Sequence, residues 1–326
     1  LVSDLDRAFA SDFAREGIED FQRRYRWMQQ VLNKLASISA KDLPKDERVS
    51  YQVLQQNLQQ LCEYYELDGH LRPALFPFGP EMEVSFYSLD KTTLLSRQDA
   101  IDYIARMKQF PRLFQDTQSR LEKGLKKGYA LPKVLLDSVI KNIDAYTGTG
   151  EESSAWYQPL KSFHISTLPD IAALQAEAKQ CIKGKIRPAY QAFVHYLRED
   201  YANHCSDTYA CSDQPNGREY YQLLIRFHTS LDLAPEVIHQ MGRDEVSRIH
   251  QSMERVAGEA GYKNDLAGFR QFVATDPQFF ATDKDQLKAQ IESLSKRIDR
   301  RIPEYVGRIP RMTYGVESFP DAIAAQ

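Results

Sequence analysis

Residues 217–253 read GREYYQLLIRFHTSLDLAPEVIHQMGRDEVSRIHQSM, and this stretch decides the fold class. It reads as two helices joined by a short break. Thr229 helps end the first helix. Ala234 before Pro235 cannot cap the second, which would cost about 1 kcal/mol unless Asp232 substitutes. His239 and His250 then share one helix, eleven residues and about 16 Å apart along its axis, too far to hold one metal together.

Helical periodicity continues outward in both directions. Upstream, Phe9, Phe13, Phe21, Tyr25, Met28, Leu32 and Leu35 recur every three or four residues, predicting one or two helices over 3–40. A second helix is predicted over 45–68 after the break at Pro44. Ser96, with Asp99 three residues on, predicts an N-cap. Pro111 predicts a kink or a boundary after Phe110. Further helices are expected over 132–146 and from Leu168 to Tyr201, the latter bent near Gly184 and Pro188. Residues 69–95, with GHLRPALFPFGP, break the pattern and predict a long ordered loop. Downstream, helices are predicted over 265–274 and 283–303, the second capped by Thr282. Residues 312–319 alternate like a strand, which alone cannot satisfy its backbone groups. The expectation is an all-α fold of long antiparallel helices in a multi-helix array with one lone β-strand. Its domains are a helical body over 1–311 and a strand and tail over 312–326.

Composition is compatible with a sizeable core: 42% of residues are hydrophobic and 27% charged. A net charge of -3 argues against nucleic acid as partner. The basic runs 123–127 and 297–301 alternate with apolar residues and read as solvated helix faces. No run approaches the roughly 18 apolar residues of a membrane span. Of the four cysteines, Cys62 and Cys181 sit in helical patterns and read as small core residues. Cys205 and Cys211 flank a polar connection, CSDTYAC, and predict a local disulfide in an oxidising compartment such as the periplasm.

Catalytic signatures are missing. None of the seven histidines belongs to His-Glu-x-x-His. Glu236 and His239 form one Glu-x-x-His, whereas a di-iron bundle needs two and two further glutamates. A Gly-x-Ser-x-Gly elbow, a P-loop and an EF-hand loop are likewise absent.

The central stretch resembles the bacterial domain of unknown function 885 family. The residues that carry the resemblance are Gly217, Tyr220 and Tyr221, then Arg226, His228 and Thr229, then Pro235, Glu236, Ile238, His239 and Gly242, then Glu245, Val246, Arg248 and Ile249. DERVSYQVLQQNL, FPRLFQDTQSRLEKGLKKGYALPKVLL and DPQFF extend it over nearly the whole chain. The resemblance implies a zincin-like metallopeptidase parent, periplasmic or lipoprotein-anchored, whose zinc ligands and general base lie in a second half beyond the terminal strand. It implies that this chain is the N-terminal helical half, with no catalytic residue and no metal or cofactor of its own, meeting a peptide substrate only with the missing half. The alternative is a non-catalytic helical binding or scaffold protein. Tyr220, Arg226, His228 and His239 are the polar residues that would either tie helices together or face a cleft.

Overall fold

The computed structural model describes residues 15–73, 75, 94–144, 148, 150–161, 170–309 and 311–318. Ten α-helices lie among them: α1 (Ile18–Ala36), α2 (Lys45–Glu66), α3 (Arg97–Lys126), α4 (Lys133–Asp144), α5 (Ile171–Cys181), α6 (Arg187–Glu199), α7 (Gly217–Thr229), α8 (Pro235–Glu259), α9 (Leu266–Thr275) and α10 (Lys284–Asp299). The described residues contain no strand, so the all-α expectation holds. The first part of the helical stretch expected over 3–40, residues 3–14, and most of the loop over 69–95 lie outside the described residues. The chain divides into two compact units, residues 1–235 and 236–326.

In the first unit, α1 and α2 run antiparallel. Tyr25, two turns into α1, stacks on Tyr65 at the end of α2, with ring centroids 4.5 Å apart. At the other end, Tyr51 donates to the Leu35 carbonyl over 3.1 Å. α7 lies antiparallel to α2, because Gln60 reaches the Arg226 carbonyl while Tyr64 meets Tyr220. The α3 pairing differs from the antiparallel expectation. Arg97 pairs with Asp170 and Lys108 with Glu177, so α3 runs the same way as α5. The connection between them carries α4, which supplies the return pass.

α3 begins at the capping box of Ser96 and Asp99: Asp99 N–H donates to Ser96 Oγ over 3.2 Å, and Ser96 N–H to Asp99 Oδ2 over 2.9 Å. It does not end at Phe110. The helix runs through Pro111, whose missing donor costs less than the burial of Met107, Phe110 and Phe114 on either side provides. Phe110 meets Trp156 at 4.5 Å, and Phe114 meets Tyr190 and Phe193 of α6 at 4.9 and 4.7 Å. This aromatic cluster is the centre of the core. Between α5 and α6 the expected irregularity is a π turn over Ile182–Ile186, with Gly184 inside it and Pro188 in the first turn of α6.

Cys205 and Cys211 are both free, which overturns the expected disulfide. Ser206 N–H donates to the Leu131 carbonyl and Lys133 N–H to the Ser206 carbonyl, over 2.9 and 2.8 Å, so Cys205 is drawn toward α4. Cys211 opens a separate single turn, and its thiol points at the Gly217 carbonyl. Thr208 and Asp213 brace the loop between by a 2.5 Å hydrogen bond. The thiols therefore face different elements. Burial raises the pKa of both. In mass spectrometry of the unfolded, unreduced chain, all four cysteines should take up an alkylating group; two unlabelled cysteines would restore the disulfide.

The second unit holds α8, α9 and α10. Tyr262 packs on Phe269 and Phe272, which reaches Phe279. Ala257 is nevertheless the one buried residue among the described residues of this unit. Asp283, not Thr282, caps α10, accepting from Gln286 N–H over 2.8 Å; Thr282 Oγ1 instead donates to Gln286 Oε1. The expected strand at 312–319 does not form: residues 312–318 carry no regular structure and pair with no described backbone. Without a neighbouring ladder its groups remain in water. Tyr314 anchors the segment by its hydroxyl, which donates to Asp299 over 2.7 Å.

Candidate functional site

A cluster of buried polar groups in the first unit lies where α2 ends. Leu67 closes that helix, and Asp68 turns the chain with φ 57, a left-handed conformation that Asp tolerates better than most residues. Gly69 follows against the Tyr64 ring, where an added Cβ would stand 2.3 Å from a ring carbon. Asp68 ties this corner to the end of α3: Lys127 Nζ donates to both carboxylate oxygens over 2.7 Å, and the Tyr129 hydroxyl donates over 3.0 Å. The corner thereby delivers two basic side chains, His70 and Arg72, into the interior, 4% and 6% exposed.

Arg72 is clamped between two aromatic rings. Its guanidinium carbon lies 4.3 Å from the Tyr129 ring centre and 4.1 Å from that of Tyr220. It donates to Gln214 Oε1 over 3.1 Å and to the Pro215 carbonyl over 2.7 Å. Gln214 in turn donates to the Ala130 carbonyl over 3.0 Å. A buried cation is tolerable when its charge meets ring faces and oriented oxygens. Arg72 thus joins the end of α2, the end of α3 and the start of α7. Lysine has no planar fork and cannot make both hydrogen bonds while stacking. Arg72→Lys should cost about 1–2 kcal/mol in urea unfolding; a change within error would show that the clamp is not a stabilising element.

His70 stacks on the Tyr65 ring with centroids 4.5 Å apart, and Phe21 meets it at 5.2 Å, tilted by 31°. Burial lowers its pKa to about 4; Asp68 opposes that, while Arg120, Lys123 and Lys127 add to it. The imidazole is therefore neutral at pH 7. Its Nδ1 is buried and meets no hydrogen-bond partner among the described residues. Arg120 donates to the His70 carbonyl over 3.4 Å and to Thr117 Oγ1 over 3.2 Å.

Of the four residues singled out in the sequence, Tyr220 enters this junction; it is half-buried, and burial raises its pKa. Arg226 lies elsewhere on α7, in an ion pair with Glu63 of α2, and it also reaches Asp232 over 3.5 Å. Glu63 is the first cause of its raised pKa. Asp232, the expected substitute cap for α8, thus directs its carboxylate to α7, where Gln222 also donates to it over 3.0 Å. His228 is exposed at the end of α7 against Phe227. His239 is exposed on α8, in the second unit. Tyr220 and Arg226 have different partners, and among the described residues of the first unit His228 joins neither. His70 and Arg72 escaped the sequence reading, although two basic residues inside the apolar run GHLRPALF were the available signal.

Among the described residues no three His, Cys, Asp or Glu side chains are placed to hold a metal ion. A surface groove beside Gly150, Ser153, Lys179 and Lys183 is open, and the Lys179–Glu152 pair, at 2.5 Å, compensates part of its charge.

Residues 10–326 match the family described as "Bacterial protein of unknown function (DUF885)". The chain belongs to that family. Its fold is similar to the crystal structure of a "putative lipoprotein" from Colwellia psychrerythraea, with a TM-score of 0.81 at 19% sequence identity. That likeness covers 96% of this chain and 56% of the Colwellia protein, so this DUF885 chain spans a little over half the length of its structural relative. No protein of curated function matches it. No helix among the described residues is long and apolar enough to cross a membrane.

Proposed function

We propose that this chain is the N-terminal helical half of a bacterial zinc metallopeptidase-like protein, which shapes a peptide-binding cleft and is not catalytic on its own. The supporting observation is family membership over 10–326 in a chain that spans 56% of its structural relative, which leaves room for a second, metal-bearing half. On this reading the Asp68, His70 and Arg72 junction is a rigid corner that holds α2, α3 and α7 in register. The polar side chains of α7 brace the wall of the cleft. Any zinc, with the peptide-cleaving chemistry it supplies, belongs to the other half. The Colwellia relative's description supports a lipoprotein-anchored or periplasmic location for the whole protein.

Zinc analysis and peptide hydrolysis, compared between this chain and the full-length protein, test the proposal. The full-length protein should carry one zinc per molecule and cleave peptides; this chain alone should do neither. One tightly bound zinc on the 326-residue chain would sink it. A non-catalytic binding or scaffold role is the second reading, favoured by the different partners that Tyr220 and Arg226 take within the first unit. A gene with no metal-ligand motif beyond these residues would support that role.

A further inference from the structure

Two apolar stripes in the second unit lack a partner among the described residues. On α8, Val246, Ile249 and Val256 are 67%, 43% and 42% exposed. Their spacing of three and seven residues places them on one helix face. On α10, Leu287, Leu294 and Ile298, spaced by seven and four residues, also share one face, at 49%, 50% and 53% exposure. The ion pairs Arg255–Glu259 on α8 and Lys288–Glu292 on α10 lie off the stripes and keep to water, while Glu245, paired with Arg248, borders the α8 stripe. A folded unit turns such stripes toward a core, yet this one buries only Ala257 among its described residues. Scattered exposed apolar side chains are ordinary; stripes of heptad-like spacing, one on each helix, mark an interaction surface.

Chain length argues for the occupant. The structural relative keeps this fold over 96% of the present chain, and that match covers only 56% of its own length. Its additional polypeptide is covalently tied to the fold and so has a high effective concentration near these faces. Stripes spaced like coiled-coil seams suit an α-helix with a complementary aliphatic face. We propose that the apolar faces of α8 and α10 are the docking surface for a helical segment of the polypeptide by which the full-length protein exceeds these 326 residues. This rests on the reading above that the chain is part of a longer protein, and not on that protein being a peptidase.

Amide hydrogen exchange on the full-length protein and on the 326-residue chain tests it. Exchange over 246–256 and 287–298 should be at least about tenfold slower in the full-length protein. In the full-length protein, Ile249→Glu with Leu294→Glu should return both segments to the faster rate. Val134→Glu, at a 70% exposed position on α4, should leave them unchanged. Equal rates in the two wild-type proteins would overturn the proposal, as would a double variant that keeps the slow rate. Slow exchange in the short chain together with a doubled mass by light scattering would also overturn it, assigning the faces to a second copy. Zinc and peptidase activity are scored separately, so slow exchange without metal would sink the peptidase reading alone.

Discussion

Gly217→Ala is expected to destabilise the first unit by roughly 3 kcal/mol, at the upper end of the cost of overpacking. An added Cβ would stand 1.8 Å from the Cys211 carbonyl oxygen and 2.7 Å from its carbon. Both are backbone atoms, held by the single turn over Cys211–Asp213, and cannot move aside as a side chain would. The loop or the start of α7 must shift, which would also disturb Tyr220 three residues on and its contact with Arg72. Glycine in a helix interior is normally the less stable choice, by about 1 kcal/mol against alanine. Gly242, in α8, has nothing within 4 Å of an added Cβ, so Gly242→Ala should stabilise by up to that amount. Urea unfolding followed by circular dichroism reads both. Equal effects of the two substitutions would refute the close approach at Gly217.

The second large effect is a loss of stability in acid. His70 has an ordinary pKa near 6.5 when unfolded and about 4 in the fold. Because the folded value is depressed, the unfolded chain binds the proton first. The contribution of the neutral imidazole is therefore fully present above pH 6.5 and falls as the pH drops from 6.5 to 4. Across that window the loss should be about 2–3 kcal/mol. The charged neighbours are Asp68, Arg120, Lys123 and Lys127; the three cations reinforce the depression and Asp68 limits it. His70→Gln should flatten the dependence of stability on pH between 6.5 and 4. An unchanged slope in that variant would place the acid sensitivity at other groups.

Local signals in the sequence were reliable where the physics is local. The Ser96 and Asp99 box needs only residues three apart, and it starts α3 as expected. The bend near Gly184 likewise follows from nearby residues and forms as a π turn. Pro111 shows where local reasoning stops: its effect on the backbone is local, but the aromatic partners that carry the helix past it lie on α6 and near Trp156. The disulfide failed for the same reason. Six residues of separation permit Cys205 and Cys211 to meet, but Leu131, Lys133 and Gly217 decide where each one goes.

The junction was the least legible part of the candidate site. Arg72 reaches Gln214 across 142 positions of sequence, and its clamp needs rings from two further segments. No periodicity encodes such a meeting. His70 looked like one histidine among seven, and only its burial beside Tyr65 and Phe21 sets it apart. Tyr220 stands out in the sequence by its place in a motif; the fold gives it a physical task in the Arg72 clamp.

The π turn between α5 and α6 bears on which insertions and deletions this chain can tolerate. Its extra residue sets the helix back by about 100° relative to an unbroken α-helix. Leu174, Ala178 and Cys181 before the turn and Tyr190, Phe193 and Leu197 after it are all buried, although an uninterrupted helix would point the two sets to different sides. Removing Gly184 would shorten a surface turn with open space around it, yet it would rotate Tyr190 and Phe193 away from Phe110 and Phe114. Single-residue gaps between relatives should therefore gather in the connections and avoid 182–186, where a length change acts as a rotation.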